Sequence, residues 1–385
     1  MPVTELSDPQ IVWDPSAQRF YYSVLDVNRY GFAFGYSKTA TPSSSADFCK
    51  YILDFGYGRS FSLPDYPKLA VTNDFVLIGS NIFVLASLYN GSDVDWLSKP
   101  TDPNCPASIG PGGVFSALKN ADGSLTSTPV PAVNADPSSV GWVVGDQDVS
   151  TTDGTDLSLF KVTRDPSTGY AVMGPATSIP VTAYSVPADV PQPGTSAVLD
   201  TLDGRLEHAV AAYDPRLGQT AVWTAHTVFG GAGAEDRWYE IGTAGTPSLA
   251  QSGSVSSSSL FTWNGAIAPD RADDGAGTTL GGSNMVMGFN TGSSSAFSAI
   301  QMVSKRGAGG QSSWVLVKQS NGPNVDFSCT AGTSGNVCRW GDYSGAMPDP
   351  LPAAGGRVWL SGEWNLPETD GSATVWQTWD WEATP

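Results

Sequence analysis

Charge is scarce in this chain, and positive charge is scarcest. Only 15% of the 385 residues are charged, and 19 Lys and Arg stand against 37 Asp and Glu, a formal net charge of −18. Such a surface repels nucleic-acid phosphates and anionic membranes, so neither is expected as a partner. No apolar run approaches the ~18 residues of a membrane-spanning helix, and no signal peptide is visible at the start. There are two histidines and four cysteines, with no CxxC or Cys/His spacing of a zinc site. A G-x-S-x-G elbow, a Walker loop and a dinucleotide fingerprint are all missing, which sets aside serine-hydrolase and nucleotide chemistry. Leu, Glu and Lys are thin, which argues against helices.

Glycine (43), proline (28) and aromatic residues (11%) are plentiful, together with Val, Ser and Thr, a composition of strands and turns. Five segments repeat one pattern of apolar strand, Asp-containing turn and apolar strand: QIVWDPSAQRFYYSVLD, KLAVTNDFVLIGSN, HAVAAYDPRLGQTAVWTAHT, GAIAPDRADDGAGTTLGGSNMVMGFN and GAMPDPLPAAGGRVWLSGEWN. Their turn acids are Asp14, Asp74, Asp214, Asp270 and Asp349. Each is expected to cap its turn with the carboxylate, a structural role. A hairpin recurring every ~50–65 residues, followed by more strands, is the pattern of a β-propeller. A sandwich would not need five near-equivalent hairpins, and a β-helix would repeat at a shorter period.

The expected fold is therefore all-β: one domain over 1–385, a six-bladed β-propeller, with seven blades as the alternative. The blades fall at about 8–57, 62–122, 128–182, 205–255, 260–320 and 338–382. The longest connection, 89–111, lies inside the second, and 186–195 reads as a loop between blades. The last blade has strands at 341–347, 357–364 and 374–381, one short of four. Residues 2–6 are one strand ahead of the first blade, so they are expected to complete the last and close the ring. The even cysteine count fits disulfides Cys329–Cys338 and Cys49–Cys105 in a secreted protein, with free buried cysteines as the alternative.

The segments SDPQIVWDPSAQRFYYSV, DYPKLAVT, RWYEI, CRWGDYSGAMPDP and VWLSGEW, spread over residues 7–365, resemble as a set a group of largely uncharacterised secreted bacterial propeller proteins of loosely sialidase-like fold. The element Arg339 to Ser344 is the most specific match. The resemblance implies a propeller and an extracellular setting, and no particular reaction. The Asp-box turns and the arginine triad of sialidases are absent, so sialic-acid chemistry is not expected.

In a propeller the loops entering first strands share one face with the loops leaving second strands. That face is where a site is expected. It gathers Asp65, Glu207, His208 and Asp342 as candidate catalytic groups. Lys68, Arg339, Tyr66, Tyr343, Trp263, His226 and Glu363 are candidate substrate-binding groups. Two carboxyls, one protonated and one ionised, can cleave a glycosidic bond. Alternatively His208 or His226 as base, with Arg339 as carboxylate clamp, could run β-elimination on a uronic acid. Aromatic faces suit sugar rings. The expected function is a glycoside hydrolase or polysaccharide lyase acting on a glycan, with a non-catalytic glycan-binding or adhesion propeller as the alternative. The chain is expected to act as a monomer. No catalytic metal or cofactor is assigned. A structural calcium ion is the alternative at the loop with Asp146, Asp148, Asp153 and Asp156, which is calcium-like in composition only and reads first as a solvated acidic loop.

Overall fold

A computed structural model describes residues 5–273, 279–332, 335–351, 355–367 and 374–385. Among the described residues, regular structure is strand apart from two 3-10 turns, and no helix is long and apolar enough to cross a membrane. Contacts divide the chain into two compact units, one up to Asp148 with Asp156–Pro180, the other Val149–Thr155 with the chain from Val181 onward.

In the first unit, β1 (Leu6–Asp14), β2 (Arg19–Asp26), β3 (Gly31–Ser37) and β4 (Phe48–Leu53) form an antiparallel meander. A second meander has β5 (Ser62–Val71), β6 (Phe75–Val84), β7 (Leu88–Ser98) and β8 (Gly112–Phe115). A third has β9 (Thr126–Pro131), followed in sequence by the short β10 (Val133–Asn134), then β11 (Gly141–Gln147), β12 (Gly154–Arg164) and β13 (Ala171–Met173), with β14 (Thr177–Tyr184) also on β12. Tyr21, Phe32, Phe34 and Tyr36 pack with Leu69, Val76 and Ile78 between the first two sheets.

The second unit opens with β15 (Val190–Pro191) and β16 (Val198–Leu199). Meanders follow: β17 (Leu206–Asp214), β18 (Gln219–Val228), β19 (Glu235–Gly242), β20 (Ser248–Val255), then β21 (Phe261–Asp273), β22 (Thr279–Ser293), β23 (Ala296–Lys305), β24 (Val315–Gln319). Next come β25 (Thr330–Gly332) and β26 (Gly335–Cys338), and last the three-stranded β27 (Gly345–Pro348), β28 (Val358–Pro367), β29 (Thr374–Ala383). Trp223 and Trp238 pack with Met285, Met287 and Phe289 between neighbouring sheets.

Among the described residues, successive antiparallel meanders thus follow one another along the chain. Three details differ from the sequence reading. Leu6 pairs with Asp26, and the Glu5 carbonyl accepts the Val27 N–H at 3.0 Å, so these two residues lengthen β1 rather than joining the last sheet. Residues 2–4, the rest of the expected closing strand, lie outside the described residues. The first ten residues of the expected connection 89–111 belong to β7. Its sequence is polar, but Asp93 and Asp95 are buried against the Tyr57 hydroxyl, at 3.2 and 3.0 Å, and so belong to a strand. Finally, 186–195 is not all loop: β15 and β16 pair, and β16 runs parallel to β26 in an additional small sheet.

Three of the five turn acids cap their turns. Asp14, Asp214 and Asp349 accept the N–H two residues on, from Ser16, Arg216 and Leu351, at 2.9, 2.7 and 2.9 Å. At the second hairpin Thr72 Oγ1 does this instead, accepting the Phe75 N–H at 2.8 Å. Asp270 was expected in a turn but lies inside β21, where its carboxylate takes Asn284 Nδ2 at 2.8 Å, because this hairpin runs further than its neighbours. The turn acids also tie successive sheets together: Asp14 to Lys99 at 2.5 Å, Asp74 to Arg164 at 3.4 Å, and Asp214 to Ser283 Oγ at 2.7 Å.

Both expected disulfides are present, Cys49–Cys105 and Cys329–Cys338, and there are no free cysteines. Their sequence separations, 56 and 9, set different entropic effects on the unfolded chain. Removing Cys49–Cys105 should cost about 4 kcal/mol and Cys329–Cys338 about 3 kcal/mol in the loop-closure picture. Denaturant titration of the paired Cys-to-Ser variants checks the order. A larger loss for the short loop would contradict it.

Candidate functional site

Four first strands carry a β-bulge near their entrance. It falls between Ser7 and Gln10 in β1, Asp65 and Lys68 in β5, Leu206 and His208 in β17, and Trp263 and Ala266 in β21. Three of these hold a residue in the left-handed region, Asp8 at φ 53°, Tyr66 at 56° and Asn264 at 60°. A bulge breaks strict alternation and re-aims side chains, and bulges concentrate beside active sites.

In the first unit, the β5 bulge brings Lys68 Nζ to 3.6 Å from the centre of the Tyr66 ring, with both side chains buried and Asp65 half-buried. A second group there, Tyr57 with Asp93 and Asp95, carries no obvious sequence signature. One phenol proton serves two carboxyls, and Asp93 also takes the Ala117 N–H at 2.8 Å. Burial raises both carboxyls above the usual range, Asp95 most.

In the second unit the expected residues form two clusters. The first is enclosed. Thr227 Oγ1, at the end of β18, lies 2.8 Å from Glu207 Oε1 and 2.9 Å from Asp236 Oδ1, and accepts the Asn264 N–H at 2.9 Å. Glu207 and Asp236 are only 2% and 0% exposed. A hydroxyl has one proton to give, and Asn264 occupies one lone pair. The second carboxyl can therefore bond Thr227 only by donating its own proton. The pair holds one proton. Burial, then the charge of Glu207, holds Asp236 well above the ordinary carboxylate range.

The second cluster is half-buried and surrounds Gly341. Arg339 pairs with Asp342 through a direct hydrogen bond and lies 3.6 Å from Asp200. Glu363, in the middle of β28, accepts the Gly341 N–H; burial, then the charges of Asp342 and Asp326, pushes it up to about 8. Its backbone carbonyl is held by Asn290 Nδ2 at 3.0 Å. Gly341, at φ 25°, has no room for a side chain: an added Cβ would stand 2.8 Å from Glu363 Oε2 and 3.0 Å from Asn264 Nδ2. Asn264 joins the two clusters, since its carbonyl accepts Ser344 Oγ at 2.7 Å while its N–H meets Thr227.

Other expected residues are placed differently. His208 donates Nε2–H to the Ala346 carbonyl at 2.6 Å. His226 is fully enclosed, with Nδ1 2.9 Å from the Gly204 carbonyl and Nε2 2.9 Å from the Tyr239 hydroxyl, and burial pushes it down to about 3. The Trp263 ring is buried edge-on against Trp340 at 6.0 Å, in the core rather than on a surface. Tyr343 is half-buried. Asp146 is buried near the end of β11, and among the described residues no three His, Cys, Asp or Glu side chains converge on a metal-sized site.

Thr227 and Asp236 lay outside the expected set. Asp236 had a readable signal: Asp236, Trp238 and Glu240 alternate along β19, so whichever face buries Trp238 buries both acids.

No family model and no curated protein matches the sequence. Several solved structures are similar to it. One is a thermostable family-43 glycoside hydrolase, 11% identical, covering 84% of this chain and 98% of that one at a TM-score of 0.39. Another is 1,3Gal43A, an exo-beta-1,3-galactanase from Clostridium thermocellum, 10% identical, covering 98% and 80% at 0.36. A third is the polysaccharide lyase Uly1, 7% identical, covering 96% and 88% at 0.36. These likenesses say nothing of which residues act.

Proposed function

We propose that this chain is an extracellular carbohydrate-active enzyme that cleaves glycosidic bonds, with Glu363 as proton donor and Asp342 as its partner carboxylate. The observation that carries this reading is a half-buried carboxyl, Glu363, that keeps its proton to about pH 8 beside an Arg339–Asp342 ion pair. A glycosidic oxygen leaves only if it is protonated as the bond breaks, and a carboxylic acid does that at neutral pH when its environment holds the proton on. Asp342 then acts on the anomeric carbon, directly as a nucleophile or through a water. Tyr343, half-buried next to Asp342 in the chain, belongs to the same reading as a sugar-binding group. The architecture that goes with it is the six-bladed propeller expected from the repeats, and the two disulfides fit an oxidising compartment. Elimination on a uronic acid is supported less well, because Arg339 is committed to Asp342 and His208 to the Ala346 carbonyl. Glycan binding without catalysis has one observation of its own, the exposed indoles Trp376 and Trp379 on β29.

A panel of neutral and acidic polysaccharides, with product analysis, tests the reading. Glu363→Gln and Asp342→Asn should each lower the rate by about 100-fold or more while the thermal midpoint stays close to that of the wild type. The wild-type rate should fall as pH rises through about 8, where Glu363 loses its proton. Cleavage that survives both substitutions would sink the assignment. Glycan binding with no cleavage would favour the binding protein.

A further inference from the structure

Asn264 is the most constrained residue of the site. It sits in a bulge at φ 60°, its N–H is bound to Thr227 and its carbonyl to Ser344. With the backbone fixed at both ends, the side chain can do little but turn about its own bonds. Yet the amide is only 3% exposed, and among the described residues neither its Nδ2 nor its Oδ1 has a hydrogen-bond partner. Buried amides without partners are costly, and this one is closed to bulk water, so a neighbour must satisfy it. Glu363 is at hand: its Oε2 and Asn264 Nδ2 lie 2.8 and 3.0 Å from one point, where a Cβ on Gly341 would stand. A methyl there would crowd both groups, which gives Gly341 a reason to be glycine.

We propose that Asn264 is a positioning residue for Glu363, and that its amide turns over as Glu363 loses and regains its proton. This rests on the reading of Glu363 as proton donor. An amide suits the task because it offers both halves of a hydrogen bond. With Glu363 ionised, Asn264 Nδ2–H donates to the carboxylate. With Glu363 protonated, the amide rotates and Oδ1 accepts the carboxyl O–H. Lys could serve only the first state and Asp chiefly the second. No bond is made or broken by the rotation; the proton itself passes between Glu363 and the leaving oxygen. The other charged groups facing Glu363 are Asp342 and Asp326, with Arg339 behind Asp342, while the proton-sharing pair Glu207–Asp236 stands on the far side of Asn264.

The test reads Glu363 directly. Protein labelled with carboxyl-13C glutamate is titrated by NMR, with the Glu363 signal assigned through Glu363→Gln. Asn264→Asp keeps size and tolerance of a positive φ but puts a second carboxyl against Glu363, so the midpoint of Glu363 should rise by about one pH unit or more. An unchanged midpoint in folded Asn264→Asp protein overturns the proposal. If that variant does not fold, Asn264→Gly, the residue freest at positive φ, takes its place. Loss of the amide should then move the midpoint by about half a unit or more as water takes its place, and an unmoved midpoint again overturns the pairing. Because the readout needs no substrate, the two ideas fail separately. A protein with no cleaving activity but a shifted Asn264→Asp midpoint would lose the hydrolase reading and keep the pairing.

Discussion

Between about pH 6.5 and about pH 9 the protein should lose several kcal/mol of folding stability, and Glu240→Gln should remove about 2 kcal/mol of that loss. The cause is a set of carboxyls that the fold keeps protonated. Glu240, fully enclosed on β19, is pushed up to about 8 by burial, then by its hydrogen bond to and the charge of Asp214, against the pull of Gln251 and Arg216. Asp214 goes the other way: burial alone would raise it, but bonds from Glu240, Ser283 and Arg216 bring it below the usual range. The two share a proton that Glu240 keeps. Asp236 and Glu363 are raised as well. The sign follows from proton counting. A carboxyl whose folded pKa lies above its unfolded value binds more protons folded than unfolded, so its contribution is complete below the unfolded pKa and disappears as pH rises through the folded one. His226 has the opposite slope, since the fold holds it neutral, but above about pH 6.5 it is neutral in both states and adds nothing there. Guanidinium midpoints at the two ends of the window measure the effect. In Glu240→Gln the new amide can still accept from Arg216 and donate to Asp214, so the variant should stay folded with a flatter profile. A wild-type profile that rises across the window would refute the proton assignments.

Much of the fold was legible because hairpins carry local signals. The strands from Leu206 to Val255 are the clearest case, since apolar alternation and Gly or Asp turns mark their boundaries. β7 was hidden because Asp93 and Asp95 read as loop residues, and only the distant Tyr57 makes them interior. The pairing of β16 with β26, more than a hundred residues apart, leaves no local trace. Of the candidate site, the sequence shows the residues and not their partners. The element from Arg339 to Ser344 and Glu363 could be singled out as candidates. The shared proton between Glu207 and Asp236 could not, because it depends on Thr227, an ordinary strand residue, lying within 3 Å of both. Histidine misleads in the same way. Scarcity drew attention to His226, but two hydrogen bonds and full enclosure make it part of the core.

Lys99→Met should cost about 3–5 kcal/mol, a large effect for one residue outside the candidate site. Asp14 caps the first hairpin turn through the Ser16 N–H, and that much was expected from its place in the repeat. What the repeat does not reveal is that Lys99, just past β7 of the next sheet, reaches Asp14 at 2.5 Å with both side chains only 4% exposed. The Lys99 backbone N–H meanwhile bonds the Asp74 carbonyl at 2.8 Å, so one residue binds the hairpin turns of two adjacent sheets. A buried pair need not stabilise relative to an apolar pair, but removing one member strands the other charge in a poor solvent. Methionine keeps most of the lysine volume and lies apolar against Asp14, so the loss measured is that of the charge. The double variant Asp14→Asn, Lys99→Met should recover most of it, because asparagine still accepts the Ser16 N–H through Oδ1 and leaves no buried charge. Urea titration of the two single variants and the double closes the cycle. If Lys99→Met costs less than about 1 kcal/mol, the pair behaves as a solvated surface pair and the turn aspartate acts only within its own hairpin. A coupling of several kcal/mol would mean that these turn aspartates hold neighbouring sheets together as well as capping their own turns. Asp214 with Ser283 Oγ at 2.7 Å is then the next contact to test in the same way.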